Sequence, residues 1–103
     1  MTATIERRVE DNVDIKLKIG DIFGQDGKKE RVIKTYYEGE ELTRFETARR
    51  DEGFISELGY NVNRITGRIE QSYCGIFYEK DAPPFRKSER YSELDKLLRE
   101  FEK

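Results

Sequence analysis

The sequence has no histidine, and it contains only one cysteine and two prolines among 103 residues. Without histidine, the chain lacks the commonest general base and the commonest nitrogen ligand of metals. A single cysteine, Cys74, cannot build a thiolate zinc site or an internal disulfide. We therefore predict no metal, no cofactor and no enzyme activity. We expect Cys74 to be a small buried hydrophobe.

Long apolar stretches are also missing. No run approaches the ~20 residues that cross a bilayer, and the N-terminal Met-Thr-Ala-Thr-Ile-Glu-Arg-Arg lacks the apolar segment of a secretory signal. The lone cysteine and the absence of Asn-x-Ser/Thr sites are typical of a reducing compartment. We predict a cytoplasmic protein that does not associate with membranes.

Charged residues make up 41% of the chain, yet they nearly cancel to a net charge of −2. This balance gives no global basic field that would attract nucleic acid. The abundance of Glu, Lys and Arg and the scarcity of Gln, Asn, Met and Cys match the drift of thermophile sequences, so a thermophilic source is a hypothesis. The length predicts one domain with a single core.

Alternation of aliphatic and charged residues from Val13 to Ile19 is the clearest structural pattern. A period of two predicts a half-buried strand that runs to about Phe23. A turn over 24–27 then leads into a second strand from about Lys29 to Glu38. We favour a one-residue bulge at Gly20 or Gly24 over symmetric pairing of the two strands.

Residues 42–50 leave two alternatives open. Thr43-Arg44-Phe45-Glu46 matches a helix capping box, but Thr43, Phe45 and Thr47 also fit a third antiparallel strand. For Asp51 to Leu58 we predict a short helix, because Leu58-Gly59-Tyr60 has the form of a helix stop.

A long strand is predicted from about Val62 to Tyr78, with Ile65, Ile69, Tyr73 and Phe77 on one face. From Tyr73 to Tyr78 the residues are apolar on both faces. This half of the strand is therefore either covered on both sides or meets a partner.

The C-terminal part is predicted to be an amphipathic helix over 88–102, after a proline linker at 81–87 and a strand-rich part at 1–80. Its apolar stripe is formed by Tyr91, Leu94, Leu97, Leu98 and Phe101. Together these elements predict an α+β fold, with a curved antiparallel sheet of 3–4 strands, a short internal helix and the C-terminal helix packed on one face.

Motifs for catalysis and ligand binding are weak. Asp14-Ile15-Lys16 matches the acidic-x-Lys step of metal-dependent nucleases. In a strand where charged and aliphatic residues alternate, however, such triples occur by chance and do not indicate catalysis. The acidic residues around Glu38 to Glu46 do not have the spacing of a calcium loop. The glycines and lysines at 20–29 lack the spacing of a phosphate loop. We do not expect nuclease activity.

The leading prediction is a small non-enzymatic binding or accessory protein that acts through protein contacts, either as a homodimer or on a larger partner. An alternative is a nucleic-acid-binding domain that uses Arg and Lys pairs with exposed tyrosines. Another is an inhibitor that presents acidic residues as a phosphate mimic, as phage-type antagonists do. The candidate binding residues are Arg49, Arg50, Tyr60, Arg64, Arg68, Tyr73, Ile76 and Tyr78. We also expect the last helix either to cover the Tyr73 to Tyr78 segment or to leave it as an interface.

Overall fold

In the computed structural model, the chain forms one β-sheet with a helix on one side. The structure describes residues 4–6, 16–25, 27–79 and 89–102. Its elements are β1 (Thr4–Glu6), β2 (Ile22–Gln25), β3 (Lys28–Glu38), β4 (Glu41–Asp51), β5 (Phe54–Val62), β6 (Ile69–Tyr78) and α1 (Glu89–Phe101). The six strands lie side by side in chain order. β2 to β6 are antiparallel, and β1 joins β2 in parallel.

The predicted α+β class, antiparallel sheet and C-terminal helix are confirmed, but the sheet has more strands than the 3–4 expected. The predicted internal helix over 51–58 is wrong. A turn at Gly53, which has a φ of +82°, ends β4, and β5 begins at Phe54. For residues 42–50 the strand alternative is correct, since they lie within β4.

The single strand predicted from Val62 to Tyr78 is two strands joined by a loop. The Asn63 side-chain oxygen accepts hydrogen bonds from the backbone N–H groups of Ile65 and Thr66 at 3.0 and 3.1 Å. Such side-chain turns are a common way for asparagine to reverse the chain. Ile65, predicted to share a strand face with Ile69, is instead 92% exposed at the loop tip.

The N-terminal strand is shorter than predicted within the described residues. Residues 16–21 are not a strand, and the part of the alternation at 13–15 lies outside the described residues. The predicted bulge at Gly24 is absent, since Ile22 to Gln25 pair with Arg31 to Lys28 without a register shift. The bulge lies at the other predicted position, Gly20, whose φ of +99° is one that glycine adopts without strain. The Gly20 N–H donates to the Val32 carbonyl oxygen and the Val32 N–H donates to the Asp21 carbonyl oxygen, both at 2.8 Å, so two successive residues are opposite Val32.

Side chains from both faces of the sheet are buried. On one side, here called the aromatic face, the rings of Phe23, Phe45 and Tyr60 lie with their centroids 5.0 to 5.1 Å apart. On the other side, the helix face, Ile33, Ala48 and Ile55 pack against α1. Ring pairs at this spacing stabilise a core beyond the apolar area that they bury.

Helix α1 packs on the sheet much as the sequence predicts. Tyr91, Leu94 and Leu98 are its buried residues, and the Arg99 Nε lies 3.0 Å from Asp95 Oδ2 one turn away. The predicted proline linker at 81–87 lies outside the described residues. No helix in the described part of the chain is long and apolar enough to cross a membrane.

Candidate functional site

The outer strand β6 carries the least charged part of the sequence. No charged residue occurs between Glu70 and Glu79, and this is the longest uncharged stretch of a chain that is 41% charged. At that average, about three of the eight residues in the stretch should carry a charge. β6 pairs with β5 on one side, and within the described ranges no strand pairs with its other side. Outer strands are normally blunted by charges or prolines, so this one is unusual.

One hydrogen bond at the end of β6 shows which backbone N–H and C=O groups of this strand face β5. The Glu79 N–H donates to the Gly53 carbonyl oxygen at 3.0 Å, so the polar backbone groups of Glu79 face β5. In an antiparallel ladder successive residues point these groups to alternate sides. The N–H and C=O groups of Cys74 and Ile76 therefore point away from β5, toward the outer edge.

The side chains of residues 73–78, here called the β6 strip, alternate between the two faces. Cys74 and Ile76 are opposite Leu58 and Ser56 on the aromatic face, and Tyr73 and Phe77 lie on the helix face. Ile76 is 49% exposed and Tyr73 is 45% exposed. On the aromatic face the exposed Cys74 and Ile76 are neighbours, and exposed apolar patches of this kind are typical of a contact surface.

Helix α1 covers only part of the strip. Phe77 packs against the helix-face core, whereas Tyr73 remains exposed, and its ring lies along the strand over Gly75. Of the two expectations for the last helix, complete covering of this segment is therefore wrong.

Cys74 is exposed, which corrects the prediction that it is a buried hydrophobe. The reason is its position on the outermost strand, on the aromatic face. Alternation fixes which face a residue is on, but it does not show whether another layer covers that face.

The predicted binding residues Arg49 and Tyr60 both contact the buried carboxylate of Glu30, Arg49 from a partly exposed position. Tyr60 is fully buried, and its hydroxyl donates to Glu30 Oε1 at 2.6 Å. Thr47 Oγ1 donates to the same oxygen at 2.7 Å, and Arg49 Nη1 lies 3.5 Å from Glu30 Oε2. Desolvation and the bond to Glu30 raise the pKa of Tyr60 far above its ordinary value. Tyr60 is thus a core residue, and it cannot stack on a base.

The Arg50 side chain lies on the helix face, where its ion pairs hold α1 against the sheet. Its guanidinium Nη1 lies 2.6 Å from Asp95 Oδ1, and its Nε lies 3.3 Å from Glu102 Oε1. Desolvation opposes the ionised form of Asp95, but the hydrogen bonds from Arg50 and Arg99 outweigh it and lower the pKa of this carboxyl.

We expect Asp95→Asn to weaken the acid dependence of stability. Because the pKa of Asp95 is lower in the folded protein than in the unfolded chain, its contribution is present above about pH 4 and is lost as the pH falls through the folded pKa. The variant should melt below the wild type at pH 6, and the difference should shrink as the pH falls through the folded pKa of Asp95. Thermal melts from pH 2 to 6 measure this. Glu100→Gln, which neutralises an exposed carboxylate on the same helix, is the control and should leave the wild-type profile unchanged.

Arg64 lies in a shallow depression of about 600 Å³ that is also lined by Lys16 and the acidic turn after β3. Its Nη1 lies 3.0 Å from Glu38 Oε2, and its Nε lies 2.5 Å from Glu41 Oε2. Two of the acidic residues between Glu38 and Glu46, Glu38 and Glu41, thus contact an arginine. Within the described residues, no group of three His, Cys, Asp or Glu side chains could hold a metal ion.

The eight predicted site residues do not form one site. Tyr73, Ile76 and Tyr78 share β6, while Arg68 precedes this strand in the loop after β5. Arg49 and Arg50 lie on opposite faces of β4, Arg64 lies in the loop after β5, and each contacts carboxylates. Sequence reasoning missed Glu30, because its partners come from β4 and β5 and no local pattern marks a buried carboxylate.

Comparison with protein families, with curated proteins and with solved structures finds no match to this chain.

Proposed function

We propose that this protein is a non-enzymatic binding module that contacts another protein chain through the β6 strip. The observation that carries the proposal is an uncharged, partly exposed outer strand in a highly charged chain. A strand that adds to such an edge gains main-chain hydrogen bonds, and exposed side chains on both faces supply specificity. The backbone groups of Cys74 and Ile76 are oriented for this role.

The ion pairs that the predicted binding arginines form with carboxylates favour this proposal over nucleic-acid binding. A guanidinium that holds a phosphate must first leave its carboxylate partners, and the three arginines at 49, 50 and 64 each have two such partners. Ion pairs of this kind cancel the local positive potential on which phosphate binding depends. The exposed tyrosine of the strip, Tyr73, is of a residue type that is enriched in protein contacts.

Photo-cross-linking from Cys74 tests the proposal. As the only cysteine, and an exposed one, it accepts a single benzophenone maleimide at the strip. We expect protein adducts. Excess unlabelled protein should abolish adducts with a cellular protein, whereas adducts with the chain itself should persist, because unlabelled copies then serve as the partner. The control carries the same probe at the loop tip, in Cys74→Ala/Ile65→Cys. If the strip probe gives no adducts beyond those of the loop probe, the proposal is wrong.

A further inference from the structure

We infer that the chain bound at the β6 strip is a second copy of this protein, paired antiparallel through β6 about a two-fold axis at Gly75. This inference rests on the proposed function, because it names the partner of the same strip. The sheet of one copy would then continue into the sheet of the other.

The sequence of the strip is symmetric about Gly75 in the way that such pairing requires. Tyr73 and Phe77 are aromatic residues at equal distances on either side, and Cys74 and Ile76 are the apolar residues between. When two identical strands run antiparallel about Gly75, each Tyr73 is opposite the second copy's Phe77. Each Cys74 is likewise opposite the second copy's Ile76. A two-fold interface needs this self-complementarity.

The backbone has the correct orientation for this register. The N–H and C=O groups of Cys74 and Ile76 face outward, as derived from the bond between Glu79 and Gly53. Opposed outward residues in an antiparallel pair exchange two hydrogen bonds with each other. Cys74 and Ile76 therefore form hydrogen-bonded pairs with their counterparts, and Gly75 falls between them at a non-hydrogen-bonded position.

Glycine suits the axis because that position brings the two strands closest, with Cα atoms about 4.5 Å apart. The space beside Gly75 is also filled already, since a Cβ there would collide with the hydroxyl of Tyr73. With glycine at the axis, the aromatic residues at 73 and 77 pair across the strands on the helix face. Aromatic cross-strand pairs are among the more stabilising contacts between strands.

Charge also favours a second copy as the occupant. The strip presents no charge, so it best accepts a strand without charge, and each copy supplies one. With a net charge of −2, two copies repel each other only weakly.

Sedimentation at increasing concentration tests the dimer. We expect wild type to shift reversibly from 12.2 kDa to about twice that mass. Ile76→Lys places a charge on the strip and should raise the dissociation constant of the dimer at least about tenfold. Ile65→Lys makes the same change at the 92% exposed loop tip and should leave the constant unchanged.

Disulfide formation between two single-cysteine proteins tests the register, even if Ile76→Lys fails to fold. Wild type carries its cysteine at 74, and Cys74→Ala/Ile76→Cys carries it at 76. In the inferred register, cysteines at 74 and 76 face each other with Cα atoms about 5.5 Å apart, within disulfide reach. Identical positions are about 8 Å apart, beyond it. Mild oxidation should link a mixture of the two proteins rapidly and either protein alone slowly.

Three results would overturn the inference: a wild type that stays monomeric at all concentrations, a dimer that Ile76→Lys does not weaken, or a mixture that links no faster than its components. If the chain is monomeric but Cys74 cross-links to a different protein, the proposed function stands and only the identity of the partner is wrong. If the chain is monomeric and the strip probe gives no adducts, both fail.

Discussion

Glu30→Ala should lower the free energy of unfolding by about 3–5 kcal/mol, because it breaks a buried, charge-assisted network from one side. The carboxylate is 2% exposed and accepts hydrogen bonds from Thr47 and Tyr60, both of which are fully buried. Without it the two hydroxyl groups have lost their acceptor, and Arg49 has lost one of its two carboxylate partners. Urea unfolding, compared with wild type at neutral pH, measures the loss.

Two further variants distinguish the effect of losing the hydrogen bonds of Glu30 from the effect of losing its side-chain volume. Glu30→Gln preserves shape and an acceptor oxygen, so we expect a smaller loss of about 1–2 kcal/mol. The triple variant Glu30→Leu/Thr47→Val/Tyr60→Phe replaces all three polar groups with apolar ones and should recover much of the stability lost by Glu30→Ala. A loss below about 1 kcal/mol in Glu30→Ala would mean that the network contributes little to the fold.

The apparent helix stop at Leu58-Gly59-Tyr60, which predicted a helix over 51–58, lies within β5. Ile55 is buried on the helix face, and Leu58 is buried on the aromatic face. In a strand covered on both sides, apolar residues need not alternate, so β5 lacks the period of two that marks a half-buried strand. The C-terminal helix has one exposed side, so its period is unambiguous and its bounds could be predicted to within a residue.

The candidate site was predictable where it depends on composition and was missed where it depends on tertiary contacts. The uncharged segment from Tyr73 to Tyr78 departs from the charge pattern of the chain, and the structure places it on an outer strand. The exposure of Cys74 depends on which layers cover β6, and the burial of Tyr60 depends on Glu30, 30 residues earlier in the chain. The residues next to Cys74 and Tyr60 in the sequence therefore do not indicate the exposure of the one or the burial of the other.

Leu94→Ala should lower the free energy of unfolding by about 2–5 kcal/mol, because it leaves a cavity between α1 and the helix face. Leu94 is fully buried in a cluster with Ile33 and Ile55. Leu97→Ala removes the same atoms from the same helix at a half-buried position, so it should cost less than half as much. Urea unfolding compares the two variants, and equal losses would contradict this packing.

The same pair of variants separates stability from association. If α1 belongs to the core and the β6 strip is the contact surface, Leu94→Ala should lower the free energy of unfolding and leave the dissociation constant of the folded dimer unchanged. Ile76→Lys should raise the dissociation constant and leave the free energy of unfolding unchanged. Sedimentation of Leu94→Ala at a temperature where it remains folded measures this. A dimer that weakens in Leu94→Ala but not in Ile76→Lys would move the interface from the sheet edge to the helix.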